Sequence, residues 1–85
     1  MNIEEMKQFF DQNDVSHWYY VIDELGPGEV DGIGKIDDKW ATYYSERGKK
    51  RNIHYFDDED AACRAMILLV SERVEAENGA PLPLV

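Results

Sequence analysis

The chain of 85 residues is poor in cysteine, in long hydrophobic runs and in basic side chains. Its single thiol, Cys63, excludes an intramolecular disulfide and the stapled frameworks of small secreted domains. The longest strictly apolar stretch, residues 65–70, falls far short of the ~20 residues that a membrane span needs. The first residues, MNIEEMKQFFDQ, are charged from Glu4 onward and lack the apolar core of a signal peptide. These absences point to the cytoplasm. Lysine and arginine number 9 against 18 acidic residues, a formal net charge of −9. Arg47, Lys49, Lys50 and Arg51 fall within five positions, and the remainder holds 5 basic against 18 acidic groups, a balance of −13. Such a surface repels phosphate backbones and anionic lipid, so neither nucleic acid nor a membrane is the expected partner; a basic protein is.

What is present is enough apolar material for one small core. The apolar fraction is 44% and the aromatic fraction 12%, which argues against disorder despite the charge. Ile3, Met6, Phe9 and Phe10 recur at helical spacing and predict a helix over 3–13, ended by Asn13-Asp14. His17–Asp23 (HWYYVID) reads as a central strand, with Trp18 assigned to the core on size. A turn follows at LGPGE, around Gly26, Pro27 and Gly28. Val30–Ile36 is a second strand, loosened by Gly32 and Gly34, where a bulge or bend is expected. Trp40–Glu46 and Asn52–Phe56 are further strands around a charged loop at 47–51. Asp57 is the expected N-cap of a second helix, whose apolar stripe includes Ala62, Cys63, Met66, Ile67, Val70 and Val74. Asn78-Gly79 stops it, and 80–85 is expected as an extended tail. The order helix, four strands, helix predicts one α+β domain over 1–79. Short connections predict a four-stranded antiparallel meander, with both helices mainly on one face.

Candidate chemistry is sparse. His17, His54 and Cys63 lack the spacing of a metal site, and no metal or cofactor is expected. Cys63 lies on the apolar stripe, behind four consecutive acids, which suits a buried thiol rather than a nucleophile. The glycines of GPGEVDGIG lead into a strand rather than a helix, and Glu29 and Asp31 would repel a phosphate. The turn acids show neither calcium-loop spacing nor a nucleophile–base pair, so no catalytic residue is assigned. A surface reading remains: tyrosines beside carboxylates suit the capture of a basic protein. The expected partner-binding residues are Tyr19, Asp23, Glu24, Glu29, Asp31, Asp37, Asp38 and Tyr43, with Tyr19 and Tyr43 on the sheet face away from the helices.

The segment Trp18–Val70 resembles small immunity proteins of bacterial polymorphic toxin and contact-dependent growth inhibition systems. WYYVI, then a tyrosine-bearing strand running into Glu46-Arg47-Gly48, then Phe56 before a helix beginning with Glu59, Ala62 and Cys63, carry the likeness. The resemblance implies a non-enzymatic inhibitor, resident in the cytoplasm of the producing cell, that binds and neutralises a cognate basic toxin domain, commonly a nuclease. The alternative function is an acidic adaptor or binding domain with a non-toxin partner.

Overall fold

The computed structural model describes residues 1–24 and 28–79. The expected turn residues Gly26 and Pro27 and the tail 80–85 lie outside the described residues. Two helices and a four-stranded sheet form an α+β fold: α1 (Ile3–Gln12), a 3-10 turn (His17–Tyr19), β1 (Tyr20–Ile22), β2 (Val30–Ile36), β3 (Lys39–Glu46), β4 (Lys49–Phe56) and α2 (Glu59–Asn78). The strands are ordered β1-β2-β3-β4 across the sheet.

Local chemistry sets the helix ends. Asn2 and Glu5 form a capping box, with Asn2 Oδ1 accepting from Glu5 N at 2.9 Å and Glu5 Oε1 accepting from Asn2 N at 3.0 Å. Asp58, not the expected Asp57, caps α2, accepting from Ala61 N at 2.8 Å. Gly79 closes α2 in the left-handed region at φ 80°, as Gly at a helix C-terminus commonly does.

The hairpins are tighter than expected. Asp37 and Asp38 (φ 53° and 65°) join β2 to β3, and Arg47 and Gly48 (φ 50° and 78°) join β3 to β4. Positive φ at both central residues is what a type I′ hairpin requires. Residues 49–51, expected in a loop, therefore already belong to β4, paired with β3 through Glu46↔Lys49, Ser45↔Lys50 and Tyr44↔Arg51.

The larger departure is at β1. It pairs with β2 in parallel, Tyr20↔Asp31 to Ile22↔Ile33, so the sheet is mixed rather than an antiparallel meander. β1 is a three-residue edge strand, not a seven-residue central one, because residues 17–19 turn as 3-10 helix before it.

The core lies between the sheet and the helices. Met6 and Phe10 of α1, Tyr20, Ile33, and Ala62, Cys63, Met66, Ile67, Val70 and Val74 of α2 form one buried cluster. Tyr20 and Phe10 rings lie 4.7 Å apart. The other face of the sheet holds a smaller buried set, Val30, Ala41 and Tyr43, separate from that cluster.

Cys63 is fully buried, and burial together with the Glu59 carboxylate pushes its thiol up to about 11. Native protein should therefore react with a thiol reagent only as fast as it opens, because the thiolate is the reactive form. Cys63→Ala should cost about 1 kcal/mol of stability, seen in urea unfolding. Prompt labelling under native conditions would contradict this burial.

Candidate protein-interaction surface

The chain leaves α1 through Asn13 and Asp14 (φ 57°), and Val15 N donates to Phe10 O at 2.9 Å. Buried Val15 thus anchors the entry to the 3-10 turn. Three aromatics follow in succession, and the turn sends them in different directions. Tyr20 enters the core against Phe10. Tyr19 is half-buried against the core and its hydroxyl donates to Glu77 of α2, so it lies on the helix side and not on the opposite face as expected. Trp18 is left outside, with 78% of its surface exposed, so its expected place in the core is overturned. The 3-10 rotation, rather than strand alternation, decides which ring faces inward.

Trp18 borders an open depression of about 620 Å³ beside β1 and the start of β2. Among the described residues, His17, Tyr20, Val21 and Ile22 line it from the same stretch, together with Lys7, Glu24, Glu29 and Val30. His17 Nε2 lies 3.3 Å from Asp11 Oδ1. Two expected partner-binding acids, Glu24 and Glu29, therefore share a depression with an exposed tryptophan that its size had assigned to the core.

Tyrosines hold the main chain of one and the carboxylate of the other. Tyr43 OH donates to the Glu24 carbonyl at 2.6 Å, and Tyr44 OH donates to Glu29 Oε2 at 3.2 Å. Tyr43 lies on the sheet face away from the helices, as expected, but it is only 2% exposed and cannot be a direct contact. Lys50 Nζ sits 4.6 Å from its ring centroid. Burial, followed by the nearby Asp23 carboxylate, pushes the Tyr43 phenol up to about 12, so it stays protonated and able to donate at neutral pH. Burial also raises the Tyr44 phenol, and its hydrogen bond to Glu29 adds to this, while Arg73 pulls it down.

Gly32 and Gly34 make this arrangement possible, and neither marks the expected bulge in β2. A Cβ on Gly32 would sit 2.3 Å from Tyr43 Cε2, and one on Gly34 would sit 2.2 Å from Asp23 Oδ1. Without those carbons, the Tyr43 ring lies on the β2 backbone and Asp23 (φ 61°) accepts from Lys35 N at 3.1 Å. Residues 23 and 24 are thereby fastened over the sheet. Among the described residues, the sheet pairing is irregular where Asn52 (φ 50°) and Ile53 of β4 both fall opposite Tyr43, between the pairs Thr42↔His54 and Tyr44↔Arg51.

The other expected contacts lie elsewhere. Asp31 is buried on the helix face, with its Oδ2 3.5 Å from an Arg73 guanidinium nitrogen. Burial raises its carboxyl pKa, and Arg73 opposes that shift. Asp31 is thus an internal ion-pair member rather than a surface acid. Asp37 and Asp38 are exposed at the β2–β3 turn, the opposite end of the sheet from Glu29. The one signal in the sequence for Trp18 was three consecutive aromatics, of which alternation can bury at most two on one face.

Among the described residues, no group of three or more His, Cys, Asp or Glu side chains could hold a metal ion. No helix among them is long and apolar enough to cross a membrane. Comparison of the chain with protein-family models, curated proteins and solved structures finds no match.

Proposed function

We propose that this chain is a protein-binding domain that captures a basic surface at the Trp18–Glu24–Glu29 depression, and that the partner is a toxin domain whose active site it covers. The observation that carries the binding reading is a tryptophan 78% exposed beside the acids Glu24 and Glu29, the first fastened through its main-chain carbonyl by Tyr43 and the second through its carboxylate by Tyr44. A large exposed ring in water is unfavourable to maintain, and Trp is enriched among residues that dominate binding energy. Glu29, its carboxylate already bonded to Tyr44, provides charge for a cationic partner with less ordering on binding, and Glu24 adds a second negative charge beside it. The toxin reading rests on the sequence resemblance, and it places the inhibitor in the cytoplasm, acting by occlusion rather than catalysis.

The test is to read the adjoining reading frame for a basic toxin-like domain and to co-express such a domain with this chain. Growth rescue and a stable one-to-one complex are expected. The association rate should fall at least tenfold between ~0.05 and ~0.5 M salt, because the Debye length shortens from above 10 Å to below it. Binding without rescue would favour an adaptor role. An association rate indifferent to salt would remove electrostatic capture.

A further inference from the structure

β1 ends the sheet on the side opposite β4, and among the described residues no strand pairs with its outer edge. In a parallel ladder, alternate residues turn both backbone groups toward the neighbouring strand. Asp23 N donates to Ile33 O at 2.8 Å, and with the register Tyr20↔Asp31 to Ile22↔Ile33 this puts Val21 and Asp23 toward β2. The N–H and C=O of Ile22 and the C=O of Tyr20 therefore point away from the sheet. None of the described residues bonds the Ile22 N–H or C=O. Tyr20 and Val21 send their side chains to opposite faces, so a hollow lined by Tyr20, Val21 and Ile22 together runs along this edge; it is the depression beside Trp18. Lysines and bulges commonly blunt an edge. β4 carries Lys49, Lys50 and the irregularity at Asn52, whereas residues 20–22 carry neither device and are protected only by being three residues long.

We infer that the partner enters this depression as an extended cationic segment, which adds to β1 as a fifth strand. The inference rests on capture at the Trp18–Glu24–Glu29 depression and adds the form in which the partner is recognised. Backbone pairing at a sheet edge supplies affinity with little regard to sequence, and the groups beside the edge supply the selection. Here that selection is for positive charge: Glu24 and Glu29 line the depression against one lysine, Lys7, in a chain of net charge −9. β1 runs for about 10 Å at ~3.3 Å per residue, so an added strand pairs over about three residues. Backbone bonds over so short a span fix the segment's direction and depth. Trp18, on the 3-10 turn before β1, and Glu24, just beyond its end, flank that span and contact the segment on either side of it.

The probe is an acetylated, amidated hexapeptide that alternates lysine and valine, added to the isotope-labelled full chain up to about 5 mM and followed by NMR; a Kd below about 1 mM is expected. At saturation the Ile22 amide should exchange about tenfold more slowly or better, while Val21 and Asp23, already bonded to β2, change little. A counterpart with esters in place of the inner amides keeps charge and side chains but lacks the N–H donors, and it should bind about tenfold more weakly. A threonine–valine peptide, without the charge, should also bind more weakly. An Ile22 amide whose exchange is unchanged at saturation overturns strand addition, as does an ester counterpart that binds like the parent peptide. A threonine–valine peptide that binds equally well overturns the cationic selection, and no binding up to about 5 mM overturns the proposal outright. If the Trp18 indole resonance moves while Ile22 exchange does not, capture at the depression stands and strand addition fails. The underlying reading fails by a different sign: a basic domain that binds the chain and leaves the Trp18 indole resonance unmoved.

Discussion

Trp18→Ala should weaken partner binding by about 2 kcal/mol or more, roughly thirtyfold in Kd, while leaving the fold intact. The two halves of this expectation come from one fact. A side chain 78% exposed contributes little to the folded state, and substitutions at such positions usually change stability by less than about 0.5 kcal/mol. The same ring, once pressed against a partner, would lose most of its contact with water. Glu24→Gln and Glu29→Gln should act differently. These acids line a wide, open depression, so their neutralisation should slow association a few-fold and alter the salt dependence more than the dissociation rate. Titration calorimetry of the three variants, each first checked by urea unfolding, separates the roles. A folded Trp18→Ala variant that binds like the parent would show that the partner uses another surface.

Gly32→Ala should be the most disruptive single-carbon change in the sheet. The added Cβ would meet Tyr43 Cε2 at 2.3 Å and Cζ at 2.4 Å, well inside contact distance. The ring has little freedom to move, because it is buried and its hydroxyl is tied to the Glu24 carbonyl at 2.6 Å. Overpacking of this kind costs about 1–3 kcal/mol. In a domain of this size about 2 kcal/mol corresponds to a fall in Tm of ~10 °C. Displacing Tyr43 would also release Glu24, so partner binding should weaken in whatever fraction remains folded. Shortening the ring removes the obstacle: Gly32→Ala combined with Tyr43→Ala should be less destabilised than the sum of the two single changes. Thermal unfolding of the four proteins measures this coupling. A Gly32→Ala variant as stable as the parent would mean that the ring does not lie where the close approach requires it.

The elements that were legible in the sequence are those set by local chemistry. The spacing of Met6 and Phe10, the stripe from Ala62 to Val74, and the β-rich runs of β2, β3 and β4 each carry their own signal, and each folds as that signal predicts. Boundaries moved where one residue decides them, as with Asp58 rather than Asp57 at the start of α2. The orientation of β1 was not legible. Tyr20–Ile22 has strand propensity in either direction, and whether it pairs in parallel depends on the path between Asp23 and Val30. Where that path begins, Asp23 is seated by the missing Cβ of Gly34 and Glu24 is bonded by the Tyr43 that the missing Cβ of Gly32 admits, and these appear in the sequence only as two glycines in a strand. The candidate surface was half legible for the same reason. The acids Glu24 and Glu29 were found from charge, but Trp18 and Tyr43 exchanged roles. Size argues for a buried tryptophan, whereas the 3-10 turn places Trp18 outside; alternation places Tyr43 on the open face, whereas the Gly32 gap lets its ring sink into the sheet.

The most direct measurement is hydrogen exchange of the chain, free and bound to the basic toxin domain. Capture at the Trp18–Glu24–Glu29 depression predicts slowed amide exchange in residues 16–24 and 28–30, with the exposed face of α2 around Leu68 unchanged. Protection confined to α2 or to the Asp37–Asp38 turn, with residues 16–24 exchanging as in the free protein, would contradict it.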